Sequence, residues 1–123
     1  MKTSACKPTG EYGNGAVKPA VRSPAQYRAR ADIVKALAHP TRLLIVDRLA
    51  GGECCVCDLQ ALAGADISTV SKHLTVLKKA GIVEDEKRGL WVFYRLCCPC
   101  LGDFFGCIEG VLRRRTQQMV ERM

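Results

Sequence analysis

The chain has 123 residues, of which 19 are Lys or Arg and 12 are Asp or Glu, so its formal net charge is +7. This length allows a single domain with a modest core, and the excess of positive charge favours a polyanionic partner. The sequence contains no apolar run long enough to cross a membrane, and its N-terminus lacks the apolar segment of a signal peptide. We therefore expect a cytoplasmic protein with no membrane partner, in which the 8 cysteines are mostly reduced thiols.

The N-terminal part of the chain contains most of the prolines and has no periodic apolar residues. We predict a flexible tail over residues 1–24 and one domain over residues 25–123. Cys6 is the chemically notable residue of this tail. A metal ligand and an idle thiol are equally good interpretations of it.

Two helices are predicted next, over residues 27–38 and from Pro40 to residue 49, because a proline is tolerated in a first helical turn. We interpret His39 as a junction residue, and Arg42 either as a phosphate neighbour or as ordinary surface charge. The residues expected to face the core are Ala31, Val34, Leu37 and Ala38 in the first helix, and Leu43, Val46 and Leu49 in the second.

The clearest helical pattern of the chain begins after Asp66. Ser68 is the expected N-cap of this helix, and Gly81 follows its last turn. The apolar stripe has helical spacing and consists of Ile67, Val70, Leu74 and Leu77. The opposite face carries short hydrogen-bond donors and cations that we predict to contact DNA: Ser68, Thr69, Ser71, Lys72, His73, Thr75 and Lys79.

Two strand-like runs follow, over residues 82–87 and 90–96, joined at Arg88 and Gly89. A polar-faced helix followed by a two-stranded ribbon with a basic tip is typical of a winged helix-turn-helix protein that binds DNA. Lys87 and Arg88 are expected to contact phosphates. Trp91, in the second strand, is expected to lie in the core.

The first helix of the helix-turn-helix is predicted over residues 53–63, with a turn at Gly64. In winged-helix folds, the residues that precede this helix commonly pair with the second wing strand. This predicts that residues 53–56 lie beside residues 93–96.

The last helix is predicted from Pro99 to about Arg122. Its apolar stripe is too wide for a small domain to cover, which predicts a homodimer with a two-fold interface. The interface residues are Leu101, Phe104, Phe105, Ile108, Val111 and Leu112. We interpret the three arginines over residues 113–115 as a solvated face.

Several ordered motifs resemble the ArsR/SmtB family of dimeric winged-helix repressors, which metal ions or metalloids release from DNA. They are ALAHPTRLLIVDRL (36–49), ECCVCDL (53–59), STVSKHLTVLKKAGIV (68–83) and RGLWVFYRL (88–96). The resemblance covers roughly residues 31–96. It implies a mainly α fold with a small β-wing, a homodimer through the terminal helices, and an inverted repeat in double-stranded operator DNA as partner.

ECCVCDL resembles the ELCVCDL box of the family's arsenic, cadmium and lead sensors, with Cys54 in place of a leucine. The candidate metal ligands are therefore Cys54, Cys55 and Cys57. Cys55 and Cys57 share a face of an extended segment but lie on opposite sides of a helix, so they can bind one ion only where the helix has not begun or is unwound. Some arsenic sensors have a further cysteine where this chain has Gln60, so a third thiolate would come from elsewhere.

Sources for that third thiolate are Cys54, Cys6 and a second candidate group, which consists of Cys97, Cys98 and Cys100. If residues 53–56 pair with residues 93–96, the two groups are neighbours, and a mixed site is possible. Cys107 is expected to be a small buried hydrophobe.

Soft thiolates favour As(III) or Sb(III) as the inducer, with Cd(II), Pb(II) and Zn(II) as alternatives. The chain has two histidines, and its last helix lacks the Asp/His–His/Glu pattern of the family's zinc, cobalt and nickel sensors. A repressor of this fold that senses thiol oxidation or reactive sulfur, and a structural zinc protein, remain open alternatives. No catalytic constellation is visible, so we do not expect an enzyme, and no organic cofactor is implied.

Overall fold

The computed structural model describes residues 20–122 of the chain. The predicted tail therefore lies mostly outside the described residues, and Cys6 lies outside them entirely. Within residues 20–122 the chain forms five helices and three strands. In chain order these are α1 (Pro24–Leu37), α2 (Pro40–Leu49), β1 (Cys54–Cys55), α3 (Val56–Ala63), α4 (Ile67–Lys79), β2 (Val83–Arg88), β3 (Trp91–Leu96) and α5 (Leu101–Glu121).

The three strands form one antiparallel sheet in the order β1-β3-β2. The predicted pairing before α3 is confirmed, since Cys54 lies opposite Tyr94 and Cys55 lies opposite Phe93. The hairpin of β2 and β3 turns after Arg88, which pairs with Trp91, and Gly89 has a φ of 62° that favours glycine. A mainly α fold with a small β-wing, predicted from the sequence, is thus the observed architecture.

The core lies between helices α2, α3 and α4 and the sheet. Its side chains are apolar, in agreement with the stripe predicted for α4, although Ile67 at the start of that stripe is exposed. Removing such side chains from water is the main favourable contribution to folding. The residues with the most completely buried side chains are Ile45, Val46, Leu59, Val70, Leu74, Leu77 and Val83.

Helix α1 starts at Pro24, three residues earlier than predicted, because Ser23 and Gln26 form a capping box. The prediction that Ala31, Val34 and Ala38 face the core is wrong for the single chain. Only the last turn of α1 reaches the body of the protein, so its other apolar side chains remain exposed. Leu43 of α2 is also exposed, because it lies at the open groove between α2 and α5, whereas Val46 and Leu49 are buried as predicted.

Helix α3 begins at Val56 and not at residue 53, because Cys54 and Cys55 are extended in β1. Gly64 ends the helix in the left-handed region, with a φ of 66°. Asp66, and not Ser68, is the N-cap of α4, because its side chain accepts a hydrogen bond from the backbone N–H of Thr69. Gly81, with a φ of 82°, follows α4 as predicted.

Two further predictions of burial are wrong. Trp91 is 53% exposed, because it lies at the distal end of the hairpin, away from the helices. Cys107 of α5 is exposed as well, since that helix packs on the body only near its first turns. None of the described helices is long and apolar enough to cross a membrane.

Candidate nucleic-acid interface and cysteine sites

The outward face of α4 carries most of the polar residues predicted to contact DNA. Each of these side chains is exposed: Ser68, Thr69, Ser71, Lys72, Thr75 and Lys79. At the start of the helix the Oδ1 atom of Asp66 accepts hydrogen bonds from the Thr69 N–H, at 2.8 Å, and from the Ser68 hydroxyl, at 3.0 Å. Hydrogen bonds from Thr69 and Ser68 lower the pKa of Asp66, so this cap stays ionised.

His73 does not belong to that exposed face. Its side chain is half-buried and turned towards α2, where the Nδ1 atom lies 3.2 Å from Nη1 of Arg42 and the ring lies 4.3 Å from the ring of His39. Helical periodicity misplaced His73 because the residue sits at the border between the buried and the outward face. The sequence interpretation of Arg42 and His39 as surface and junction residues also missed this contact.

The wing is less basic than its sequence implies, because Arg88 is paired. Its guanidinium donates two hydrogen bonds to Glu53, at 2.5 and 3.0 Å, and one to Glu86, at 2.8 Å. It also lies 4.6 Å from the ring centre of Phe93. Hydrogen bonds from Arg88 lower the pKa of Glu53 and of Glu86. Lys87 is exposed beside this cluster.

Glu53 is the residue of this interface that sequence reasoning missed. Its partner Arg88 is 35 positions away in the chain, and only the pairing of β1 with β3 brings the two side chains together. The pairing was predicted from the winged-helix pattern, so the contact could have been inferred from that register. Exposed ion pairs of this kind contribute little to stability, and the guanidinium can exchange a carboxylate for a phosphate.

The first group of cysteines is divided between the core and the surface. Cys54 is 4% exposed and belongs to the core, and burial raises the pKa of its thiol. Cys55 is half-buried at the N-cap of α3, and Cys57 is exposed in the first turn of that helix. The thiolate is the metal-binding form, so the structure favours Cys55 and Cys57 over Cys54 as ligands.

The second group lies between β3 and α5. Cys97 is exposed, while exclusion of water by neighbouring atoms, followed by the charge of Glu84, raises the pKa of its thiol. The Sγ atoms of Cys98 and Cys100 lie 3.0 Å apart, and both residues are half-buried.

Neither group forms a ready metal centre. Over residues 20–122, the structure brings together no set of three His, Cys, Asp or Glu side chains that could hold one ion. The predicted mixed site, with thiols from both groups, is therefore not formed in this conformation. A two-thiol site at Cys55 and Cys57 requires the start of α3 to change, as the i, i+2 spacing implies.

The predicted dimer residues occupy one side of α5. Leu101 and Phe105 are half-buried against the core, whereas the other four, at 38–56% exposure, are open to solvent: Phe104, Ile108, Val111 and Leu112. Together with Leu43 and Leu44 of α2, α5 borders an open groove of about 590 Å³.

Comparison with known proteins identifies the family to which this architecture belongs. Residues 39–85 match the family described as bacterial regulatory protein, arsR family. An uncharacterized HTH-type transcriptional regulator of Methanocaldococcus jannaschii, MJ1325, is 46% identical over 70 residues, which cover 56% of this chain and 79% of that protein. The chain belongs to the ArsR family. The family match includes the helix-turn-helix, which is formed by α3 and α4. The protein is a winged-helix transcriptional regulator, not an enzyme.

A second relative is the arsenical resistance operon repressor of Escherichia coli, which is 45% identical over 65 residues. That match covers 52% of this chain and 56% of the repressor, so this ArsR-family chain spans just over half the length of that relative.

Solved structures agree with the fold. The crystal structure of Mycobacterium tuberculosis Rv0081 has a TM-score of 0.71 and 29% identity, over 80% of this chain and 99% of that chain. The homodimeric winged helix-turn-helix DNA-binding domain of Mb0332 from Mycobacterium bovis has a TM-score of 0.68 and 29% identity, over 83% and 94% of the two chains.

Proposed function

We propose that this ArsR-family regulator is a dimeric repressor that binds an inverted repeat in operator DNA and is released when As(III) or Sb(III) binds its cysteine thiolates. The observation that carries the ligand half is the placement of Cys55 and Cys57 on the two sides of the β1–α3 junction. The similarity to the arsenical resistance operon repressor supports the same ligand class.

The DNA half of the proposal uses the outward face of α4 and the wing. Short hydroxyls at Ser68, Ser71 and Thr75 are donors and acceptors for base edges in a major groove, and Lys72 and Lys79 neutralise phosphates. In a two-fold dimer, two such helices enter successive major grooves about 34–36 Å apart. Affinity then falls steeply as salt rises, because each phosphate contact releases a counterion.

The proposed dimer forms through α5. This helix has 21 residues, none of them buried, and a helix in water gains most of its stability from packing of an apolar face. A second copy of the chain covers the apolar face that Phe104, Ile108 and Leu112 present. The homodimeric state of the structurally similar Mb0332 domain supports this arrangement.

The ligand half uses thiolates because both histidines of the chain are engaged elsewhere. His39 caps α2, and His73 contacts Arg42. Cys55 and Cys57 remain as accessible soft donors at the junction, and soft donors select thiophilic ions. Cys54 supports the core in this assignment, while Cys6, Cys97 and Cys98 stay candidates for a third thiolate.

The coupling between ligand and DNA follows from the backbone. Cys55 has an extended conformation, with φ −77° and ψ 155°, while Cys57 lies within α3. Bringing both thiolates to one ion requires the first turn of α3 to unwind, and α3 packs against α4 in the helix-turn-helix. An ion that binds only the unwound state shifts the population away from the DNA-binding state.

The test is a DNA-binding titration under strong reductant with As(III), Sb(III), Cd(II), Pb(II) and Zn(II) in parallel. We expect As(III) or Sb(III) to release DNA at the lowest free concentration. Release by Cd(II), Pb(II) or Zn(II) alone would contradict the metalloid assignment. Release only by an oxidant, with no effect of any ion, would favour a thiol-redox switch.

A further inference from the structure

Three side chains form a half-buried cluster where α1, α2 and α4 meet. The Nε atom of Arg42 donates a hydrogen bond of 2.7 Å to the backbone oxygen of Ala36, in the last turn of α1. Nη1 of the same guanidinium lies 3.2 Å from Nδ1 of His73, in the middle of α4. The ring of His39 packs on the ring of His73, with centroids 4.3 Å apart.

Arg42 therefore joins two helices through one rigid group. The Ala36 oxygen is one of the last four carbonyls of α1, which have no acceptor role inside the helix, and Arg42 satisfies it. The planar guanidinium holds its donors at fixed angles, so the position of Ala36 and the position of His73 constrain each other.

The contact fixes the protonation state of His73. A guanidinium can only donate, so Nδ1 of His73 must carry a lone pair, and the neutral ring has its proton on Nε2. Burial, followed by the charges of His39 and Arg42, lowers the pKa of His73 from its ordinary value of 6.5. These two groups, both from the α2 end of the cluster, are the titratable and charged groups that act on it.

The apolar stripe of α4 does not by itself fix the rotation of the helix, because apolar contacts are not directional. Among side-chain hydrogen bonds and ion pairs of residues 20–122, two tie α4 to another element: Arg42 with His73, and the exposed pair of Lys78 with Asp85 at 2.9 Å. His73, which makes the first of these contacts, follows Ser71 and Lys72 of the outward face within the same helical turn.

We propose that Arg42 and His73 are positioning residues of the DNA-recognition helix, and that protonation of His73 releases α4 from Arg42 and weakens DNA binding. The inference rests on the proposed use of α4 at DNA. The predicted loss of DNA affinity in acid is opposite to the usual effect, because adding positive charge to a basic protein ordinarily strengthens its attraction to phosphates. Here the cation formed at His73 loses its acceptor atom and faces Arg42, so the loss of position outweighs the added charge.

The pH window follows from the direction of the pKa shift. Because the folded protein holds the pKa of His73 below 6.5, the positioned state is fully populated above that value. The contribution of the Arg42–His73 contact declines as pH falls below 6.5, and it is lost once pH has passed through the pKa of His73 in the folded protein. We expect DNA affinity to fall by about tenfold, the worth of one hydrogen bond, as pH is lowered from about 8 through the pKa of His73 in the folded protein, which lies below 6.5.

The experiment measures the affinity of the full chain for a duplex oligonucleotide that the wild-type protein selects from random-sequence DNA, at fixed salt, across this pH range. His73→Asn is the informative variant, since an amide oxygen can accept from Arg42 and does not titrate. We expect it to bind as the wild type does at pH 8 and to keep that affinity in acid. His73→Leu should bind more weakly throughout, with no pH dependence.

Two controls test whether His39 titrates instead and whether Arg42 contacts phosphate directly. His39→Asn retains an N-cap for α2, and acid sensitivity should persist in it; its disappearance would assign the titration to His39 and overturn the proposal. Arg42→Ala should weaken binding while the slope of log affinity against log salt is unchanged. A slope smaller by about one unit would make Arg42 a phosphate contact and contradict a positioning role.

The remaining outcomes also decide the matter. A wild-type affinity that is flat or rises in acid, or a His73→Asn variant as acid-sensitive as the wild type, overturns the proposal. If Arg42→Ala or His73→Leu fails to fold, as circular dichroism would show, the comparison of wild type with His73→Asn still decides. Absence of DNA selection at pH 8 would instead overturn the proposed function.

Discussion

Helices α4 and α5 both carry an apolar stripe, but the single chain buries only one of them. Val70, Leu74 and Leu77 of α4 are at most 1% exposed, whereas Ile108 and Leu112 of α5 are 38% and 43% exposed. Contacts within the chain therefore hold the stripe of α4, while the stripe of α5 is left open to solvent and is available to the proposed dimer interface. Mutations in the α5 stripe should therefore change dimerisation and DNA affinity, whereas mutations in the α4 stripe should change the stability of the fold.

The largest effect is expected from a charge in the α5 stripe. Ile108→Glu places a carboxylate in the proposed interface, where it cannot be buried without a partner. We expect a folded monomer whose DNA affinity is lower by about 10² to 10⁴, because two linked half-site contacts become one. Sedimentation and DNA titration measure both changes. The exposed Glu109→Gln is the matched control, and a dimeric Ile108→Glu protein would contradict the interface.

The matching change in α4 should act on stability instead. Leu74→Ala removes a side chain that is 1% exposed and leaves a cavity in the core. We expect the free energy of unfolding to fall by about 2–5 kcal/mol, as measured by denaturant titration at fixed protein concentration. Val76→Ala, on the 38% exposed side of the same helix, is the control and should change it much less. Equal losses at the two positions would contradict the packing described.

A smaller effect is expected at the wing, where Arg88 exchanges Glu53 for a phosphate. Arg88→Ala should weaken binding to all DNA sequences alike and reduce the salt slope by about one unit. Glu53→Gln should tighten binding a few-fold, because the guanidinium then leaves one carboxylate, that of Glu86, and not two. Arg95→Ala is the control, since Arg95 is paired with Glu84 and Glu86 farther from the hairpin turn. A salt slope unchanged by Arg88→Ala would show that the wing does not contact phosphate.

The sequence was sufficient for those parts of the fold that depend on local pattern. The stripe of α4, the stop at Gly81 and the strand beside β3 were all predicted, because periodicity, glycine and motif order report them directly. The exposure of Trp91 and Val34 was not predicted, because an apolar residue gives the same signal whether its own chain or another surface covers it.

Contacts between residues that are distant in the chain were also not predicted from the sequence. The pairing of Arg88 with Glu53 and of Arg42 with His73 depends on the register of the sheet and the crossing of helices. The placement of Cys54 in the core has a similar origin. In a short strand the side chains alternate between faces, and only the sheet register shows which face is buried.

The most direct test of the proposed function concerns the two thiols at the β1–α3 junction. Cys55→Ser and Cys57→Ser each keep a small polar side chain, so DNA binding should survive, but a hydroxyl is a much poorer ligand for soft ions. Moving DNA occupancy from nearly full to nearly empty requires about 5.5 kcal/mol of preference between states, and loss of one thiolate removes much of it.

The measurement is release of DNA by As(III) under reductant, for each single variant and for a variant in which Cys97, Cys98 and Cys100 are all serine. Cys107→Ser, on an exposed part of α5, is the control and should respond as the wild type does. We predict that Cys55→Ser and Cys57→Ser bind DNA and are no longer released. If both single variants are still released while the triple variant is not, the sensor lies before α5 and the proposed site at the β1–α3 junction is wrong.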